Sequence, residues 1–224
     1  MRAANLTALL FLLAAPATAR ATPPLVLTTG FSGQAITDRS WDLVDVDDHL
    51  PMAHVAAGWA FDVSGGRLEA SLGFLSGSTR ATLHDSHEAA LMLRSLELGA
   101  TFRHPFARRF EPYVRLAGGF DWATLSIGSE GTLEQRIARP SATAMLGAAI
   151  PLVVTTSSLS GRRHEWLLLD LGVGYTVRPS FDFDALAPAE PDRPAADGIA
   201  RTPTDLGQLA MSGVAYRLGL TLRL

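Results

Sequence analysis

The chain contains no cysteine and no lysine, and no apolar run in it is long enough to form a membrane-spanning helix, which needs about 18 residues. Without cysteine it can form no disulfide framework, no thiolate nucleophile and no Cys-ligated zinc site. The 19 basic residues are all Arg and the formal net charge is -3, so no basic surface exists for nucleic acid and we expect no nucleic-acid partner. Charged residues make up 18% of the chain, below the roughly 25% of soluble domains.

The first 21 residues have the composition of a secretion signal. Arg2 gives a positive start, residues 6–15 are apolar, and Ala19 and Ala21 each end a small-x-small cleavage pattern. We therefore predict a signal peptide over residues 1–21, cleaved after Ala19 or Ala21, and one mature domain over residues 22–224. An exported chain that lacks a spanning helix can cross a membrane only with strands.

Residues 214–224 alternate strictly between two kinds of side chain. One face is wholly apolar and carries Val214, Tyr216, Leu218, Leu220, Leu222 and Leu224. The other face is small or polar and carries Ala215, Arg217, Gly219, Thr221 and Arg223. A closing strand of this kind needs neighbours along both edges, and closure into a barrel supplies them.

Seven earlier segments show the same alternation, so eight strands are predicted in all. They lie at about residues 24–33, 52–63, 68–75, 89–103, 111–125, 139–152, 164–178 and 214–224. Long connections are predicted at residues 34–51, 78–88, 126–138 and 179–208, and they alternate with short ones. Arg94 breaks the alternation of its segment, which indicates either a β-bulge or an Arg at the level of the lipid headgroups. The prediction is an all-β fold, an eight-stranded antiparallel up-and-down transmembrane β-barrel.

The two faces of the predicted strands differ in bulk and charge. Because the lumen of an eight-stranded barrel is only wide enough to be filled by side chains, the small and charged rows are expected inside and the bulky rows outside. The charged residues expected inside are Asp62, Glu69, Glu97, Asp121, Asp170, Arg103, Arg115, Arg217 and Arg223. Unpaired charge there would cost several kcal/mol, so we predict a lumen charge network centred on Glu97, Arg115, Asp170 and Arg217. It acts either as a static plug or as the gate of a narrow pore.

Three segments carry a resemblance to a known family. They are residues 111–120 (EPYVRLAGGF), residues 169–175 (LDLGVGY) and the closing strand. In these the chain resembles the small eight-stranded outer-membrane barrels of the OmpA and OmpX type, although Leu224 stands where that family has an aromatic residue, usually Phe. The resemblance implies a bacterial outer-membrane location with both termini in the periplasm. It also implies a monomer, contact with outer-membrane lipids and lipopolysaccharide, and folding by the barrel-assembly machinery.

Residues 84–88 (His-Asp-Ser-His-Glu) are the one place where His, Ser and carboxylates crowd together. Small barrels that modify lipid A use such residues, but adjacency in sequence does not make a hydrogen-bonded relay. Two imidazoles also make only a weak metal site. We therefore expect no catalytic residue, no metal and no cofactor. The predicted function is a non-enzymatic outer-membrane protein with a structural or surface-interaction role, and the alternatives are a narrow gated pore and a lipid A-modifying enzyme that uses residues 84–88.

Overall fold

Most of the residues that can be described lie in β-strands. A computed structural model describes residues 24–38, 40–41, 48–83, 87–106, 110–128, 133–156, 163–183, 187–188 and 207–224. The predicted signal peptide, residues 1–21, lies outside these ranges. In the described part of the chain, no helix is long and apolar enough to cross a membrane.

Eight long strands form one closed antiparallel ring. They are β1 (Leu25–Ala35), β2 (His49–Val63), β3 (Gly66–Leu83), β4 (His87–Arg103), β5 (Glu111–Ile127), β6 (Leu133–Thr156), β7 (Arg163–Val177) and β11 (Gly213–Arg223). Three two-residue strands, β8 (Phe181–Asp182), β9 (Ala187–Pro188) and β10 (Gln208–Leu209), lie between β7 and β11. Each long strand pairs with the next, and β11 pairs with both β7 and β1, so the ring has no free edge strand. The predicted eight-stranded up-and-down barrel is confirmed.

The strands are staggered around the ring. Directly opposed residues lead from Leu25 once around the barrel and back to β1 at Ala35, a displacement of ten residues (35 − 25). The path passes through Trp59, Ala70, Ala100, Leu116, Ala144, Tyr175 and Val214. Eight strands with this stagger tilt by about 40° from the barrel axis and enclose a lumen that side chains can fill.

The two ends of the barrel differ. At the terminal end, where Leu25 and Leu224 lie, β2 and β3 join through the two-residue turn Ser64-Gly65. Gly65 has a φ of 81°, a left-handed conformation that glycine adopts without a steric cost, which explains the tight turn that the sequence predicts there. The opposite end is called the loop end.

Bulky apolar side chains cover the outside of the ring. Leu98, Leu116 and Leu146 are 67%, 60% and 64% exposed, and they occupy alternate positions on β4, β5 and β6. Charged and small residues take the intervening positions, which face the lumen. The predicted orientation of the two faces is therefore confirmed in the part of the barrel near the terminal end.

The loop end corrects two predicted connections. Residues 78–88 were expected to form a long loop, but β3 and β4 pair without a break up to Leu83 and His87. In the same way, β5 and β6 pair up to Ile127 and Leu133, inside the connection predicted at residues 126–138. The pairing of β2 with β3 stops at Gly77, and that of β6 with β7 stops at Ala142. Four strands therefore project beyond the other four as an extension, formed by residues 78–83, 87–92, 124–127 and 133–136.

Arg94 does not mark a bulge. The register of β4 against β3 and β5 is continuous, with Ser76 and Trp122 directly opposite Arg94 on the two sides. Its side chain points outward beside Trp122. The alternation changes there because Leu91 and Leu93, which precede it, face the interior and are fully buried.

Candidate functional site

The lumen near the terminal end contains a network of buried ion pairs. Arg103 donates to Glu69 at 2.8 Å and to Asp170 at 2.5 Å, and all three side chains are at most 6% exposed. Arg223 donates to Glu69 at 3.2 Å and to Glu111 at 2.8 Å. Glu69 thus joins the two guanidinium groups, so β3, β4, β5, β7 and β11 are linked across the lumen.

Neighbouring side chains complete this group. The Thr221 hydroxyl donates to Asp170, and the Arg103 guanidinium lies over the Tyr113 ring at 4.9 Å from its centroid. A Cβ on Gly172 would lie only 2.6 Å from the Tyr113 hydroxyl oxygen, and Gly147 is just as close to the ring. The glycines of β6 and β7 therefore make the space into which Tyr113 extends across the lumen.

A second group lies at the middle of the lumen. Arg115 contacts Glu97 at 3.4 Å, the Ser71 hydroxyl at 3.3 Å and the Thr101 hydroxyl at 3.4 Å, all of them long contacts. Arg217 projects into the same region and forms no ion pair or hydrogen bond with any residue that the structure describes. The middle of the lumen thus holds two guanidinium groups and one carboxylate.

The four residues predicted as the centre of the network fall into different groups. Glu97 and Arg115 are partners, Asp170 belongs to the group of Arg103, and Arg217 lies between the two groups. Whether they act as a plug or as a gate stays a prediction. Asp62, expected in the lumen, instead lies exposed at the terminal end, 3.0 Å from Arg67, because it is the second-last residue of β2 and lies next to the hairpin turn.

A third polar group lies nearer the loop end, and sequence reasoning missed two of its side chains, Arg178 and Gln34. Arg178 donates to Asp121 and to Gln34, Ser95 also donates to Asp121, and Gln34 donates to the Met211 carbonyl at 2.6 Å. All of these side chains are buried. Glu111 in the first group was missed as well. The parity of β5 and β7 could have revealed both charges, because Glu111 is in phase with Arg115, and Arg178 is in phase with Asp170.

An apolar cluster fills the lumen at the loop end, where only small and charged residues were expected. The strands contribute Leu50, Met52, Leu75, Leu91, Leu93, Ala123 and Leu125, and the connecting segments contribute Ile36, Trp41, Phe181, Phe183, Leu209 and Met211. Trp41, Phe181 and Met211 are fully buried. The described residues of the connections between β1 and β2 and between β7 and β11 therefore pack into the barrel mouth.

The two lumen cavities lined by described residues are small. The lumen cavity at the level of Arg115 has a volume of about 40 Å³, and the one beside Asp170 about 20 Å³. A cavity needs roughly 10–15 Å³ to hold one water molecule, so these two cavities hold a few water molecules at most.

The candidate catalytic segment is only partly described. Residues 84–86 lie outside the described ranges, and His87 opens β4. Glu88 points outward and pairs with Arg80 at 3.2 Å, and both side chains are exposed. No group of three metal-ligating side chains occurs among the described residues.

In the connection after β1, the Ser40 hydroxyl and amide donate to Asp38 at 2.7 and 2.9 Å and hold the pKa of that carboxyl below its usual range.

No protein-family model and no curated protein matches this chain. Among solved structures, Neisserial surface protein A (NspA) aligns with a TM-score of 0.54 and 9% identity, over 91% of this chain and 98% of that one. Ail, the attachment invasion locus protein of Yersinia pestis, aligns with a TM-score of 0.52 and 10% identity in a complex with the heparin analogue sucrose octasulfate. A second structure of Ail gives 0.50 and 12%, and both Ail alignments cover 91% of this chain and all of Ail.

NspA and Ail are eight-stranded outer-membrane β-barrels. At these identities the likeness concerns the fold. This chain therefore has the fold of a small outer-membrane barrel, a conclusion reached independently from its closed ring and its apolar outer surface.

Proposed function

We propose that this chain is a non-enzymatic protein of the bacterial outer membrane, with its terminal end in the periplasm and its loop end at the cell surface. The apolar outer rows support the location, because bulky side chains that are more than half exposed are stable only when hydrocarbon covers them. The likeness to a neisserial surface protein and to an attachment protein supports a surface-interaction role. Its partners in the membrane are outer-membrane lipids and lipopolysaccharide, and the barrel-assembly machinery inserts it.

The single observation that carries this proposal is the filled lumen. Buried ion pairs occupy the lumen from the terminal end to the level of Asp121 and Arg178, and the apolar cluster lies beyond them at the loop end. A barrel filled in this way is a rigid support and not a pathway, so its function lies in the parts that it displays. The extension is the most prominent of these, and its outer face is polar, with Arg80 paired to Glu88 and Arg136 paired to Glu134.

Planar-bilayer recording tests whether the lumen is closed. The wild-type barrel is expected to give no steady current, and Arg115→Ala and Arg217→Ala, which each remove one side chain from the middle of the lumen, are expected to stay silent because the apolar cluster still closes the loop end. Reproducible unitary currents from the wild type would instead support the narrow pore. A change in the mass of lipid A that depends on His87 would support the enzyme.

Labelling on intact cells tests the orientation, and the absence of native cysteine makes it simple because any introduced thiol is unique. Thr82 lies on the exposed outer face of the extension, and Ser64 lies in the exposed turn at the terminal end. With a membrane-impermeant maleimide, Thr82→Cys is expected to react on intact cells and Ser64→Cys only after permeabilisation. The reverse pattern would refute the proposed orientation, and equal labelling of both would refute membrane insertion.

A further inference from the structure

His54 is a buried imidazole without a hydrogen-bond partner among the described residues. It projects from β2 into the lumen and is 5% exposed, yet neither Nδ1 nor Nε2 has a bonding partner there. Glycines hold the ring in place: a Cβ on Gly30 would lie 3.1 Å from its Cε1, and a Cβ on Gly219 would lie 3.3 Å from the same atom. The backbones of β1 and β11 thus form a notch that fits the ring and leaves its nitrogens free to bind something else.

Two more unused donors lie beside the imidazole. Ser32 on β1 is directly opposite Arg217 on β11, and its buried hydroxyl has no partner among the described residues. Gly30, two residues before Ser32, is directly opposite His54. Ser32, His54 and Arg217 therefore lie on three adjacent strands, and all three line the cavity of about 40 Å³.

The charge around this cavity is positive. Arg115 and Arg217 line it together with one carboxylate, Glu97, which already contacts Arg115. Arg178, which also lines it, is neutralised by Asp121. The next carboxylate, Asp170, accepts from Arg103 and Thr221. The Arg217 guanidinium therefore forms no ion pair with a described residue, and Glu97 and Asp170, the carboxylates whose charges reach it, are each bonded to another Arg. A buried guanidinium without an ion pair is costly unless an anion compensates it.

The surplus positive charge is local. The group near the terminal end has three carboxylates, Glu69, Glu111 and Asp170, for two guanidinium groups, Arg103 and Arg223. The charges of the lumen are thus separated along its axis. A ligand at the middle of the lumen would reduce that separation if it were small and negative.

We propose that this cavity is a binding site for a small monovalent anion of halide size, such as chloride, held by the Arg217 guanidinium, an imidazole N–H of His54 and the Ser32 hydroxyl. The guanidinium can only donate hydrogen bonds, and the hydroxyl and the imidazole can each turn a donor toward the same ligand, so a ligand that accepts all three bonds beside a guanidinium charge is an anion. A volume of about 40 Å³ accommodates one halide ion with one or two water molecules. The site goes beyond the proposed surface role, and it is a fixed counter-ion site that requires no conduction.

Bromide provides a direct test with the whole folded chain. Crystals of the detergent-solubilised protein grown in sodium bromide are expected to show an anomalous difference peak in the lumen within contact distance of Arg217 and His54. Bromide found only at surface arginines would overturn the proposal.

A solution experiment tests the same site with variants. At constant ionic strength, replacing gluconate, which is too large for the cavity, by chloride is expected to raise the thermal unfolding midpoint of the wild type until it saturates. Arg217→Gln is expected to lose this response. Ser32→Ala, which removes one donor and little volume, is expected to need several-fold more chloride for half of the effect.

The matched control is Arg139→Gln, because Arg139 lies near the loop end and bonds Asp182 at 3.2 Å, away from the cavity. It is expected to keep the full chloride response. Equal midpoints of the wild type in chloride and gluconate would refute the site, and so would an unchanged response in Arg217→Gln. If Arg217→Gln does not fold, the Ser32→Ala titration and the bromide crystals decide the question.

Discussion

Individual charged residues in this barrel differ widely in what they contribute, because some ion pairs are buried and others are exposed. Arg103 is 6% exposed and holds two carboxylates, whereas Arg67 pairs with an Asp62 side chain that is 83% exposed. Loss of one partner from a buried pair leaves a charge without compensation, but loss of an exposed partner leaves a charge that water solvates.

Arg103→Met is therefore expected to destabilise the barrel by about 3–5 kcal/mol, since it removes the charge from between Glu69 and Asp170 and keeps most of the side-chain length. The matched change Arg67→Met is expected to cost about 0–1 kcal/mol. Urea unfolding of the protein in lipid vesicles, followed by tryptophan fluorescence, measures both. Similar costs for the two variants would show that the lumen network does not stabilise the fold.

At this scale the sequence predicts which face a side chain is on, but not its partner. Alternation assigns Glu97, Arg115, Asp170 and Arg217 to one face, and each of them lines a lumen cavity. Alternation could not show that Asp170 forms an ion pair with Arg103, because that contact depends on the stagger around the whole ring. Gln34 was missed because a buried Gln in the lumen looks the same in sequence as a Gln in a loop.

At the level of the strand, outward-facing side chains of the apolar surface differ from outward-facing side chains of the extension. Leu98 lies between Leu72 and Gly118 and is 67% exposed on the apolar outer surface. Thr82 on β3 points outward too, but it belongs to the extension.

Leu98→Arg is expected to reduce the free energy of folding by about 2–4 kcal/mol, because it places a charge near the middle of the bilayer. Thr82→Arg, in the extension, is expected to reduce that free energy by about 0–1 kcal/mol. The free energy of folding into vesicles, measured for Leu98→Arg and Thr82→Arg, checks the difference. If both variants were tolerated equally, the outer rows would not face lipid.

The ends of the strands were harder to predict than their middles, and the extension shows why. Near the terminal end, bulky side chains point outward, but in the extension Leu91 and Leu125 point inward and Arg80 and Thr82 point outward. The pattern inverts where the surroundings change from lipid to water, although the backbone continues without a break. For this reason the sequence suggested a loop at residues 78–88 and a bulge at Arg94.

For the molecule as a whole, ring closure removes the usual reason for strands to associate. Each of the eight long strands has a neighbour on both sides along the lipid-facing part of the barrel, so no unpaired ladder is available to a second copy there. We therefore expect a monomer. Native mass spectrometry after release from detergent should give the mass of one chain, whereas a stable dimer would show that some other surface associates.

The uninterrupted register has a further consequence for how this chain can vary in evolution. Among the pairings of described residues, only that of β6 with β7 contains a register shift, and it lies near Pro151 and Val153, at the terminal end. A single residue inserted within β4 or β5 would turn every later side chain of that strand to the opposite surface and bring leucines into the ionic interior. Homologous chains should therefore tolerate insertions and deletions in the connections, and within the strands they should gain or lose residues only in pairs.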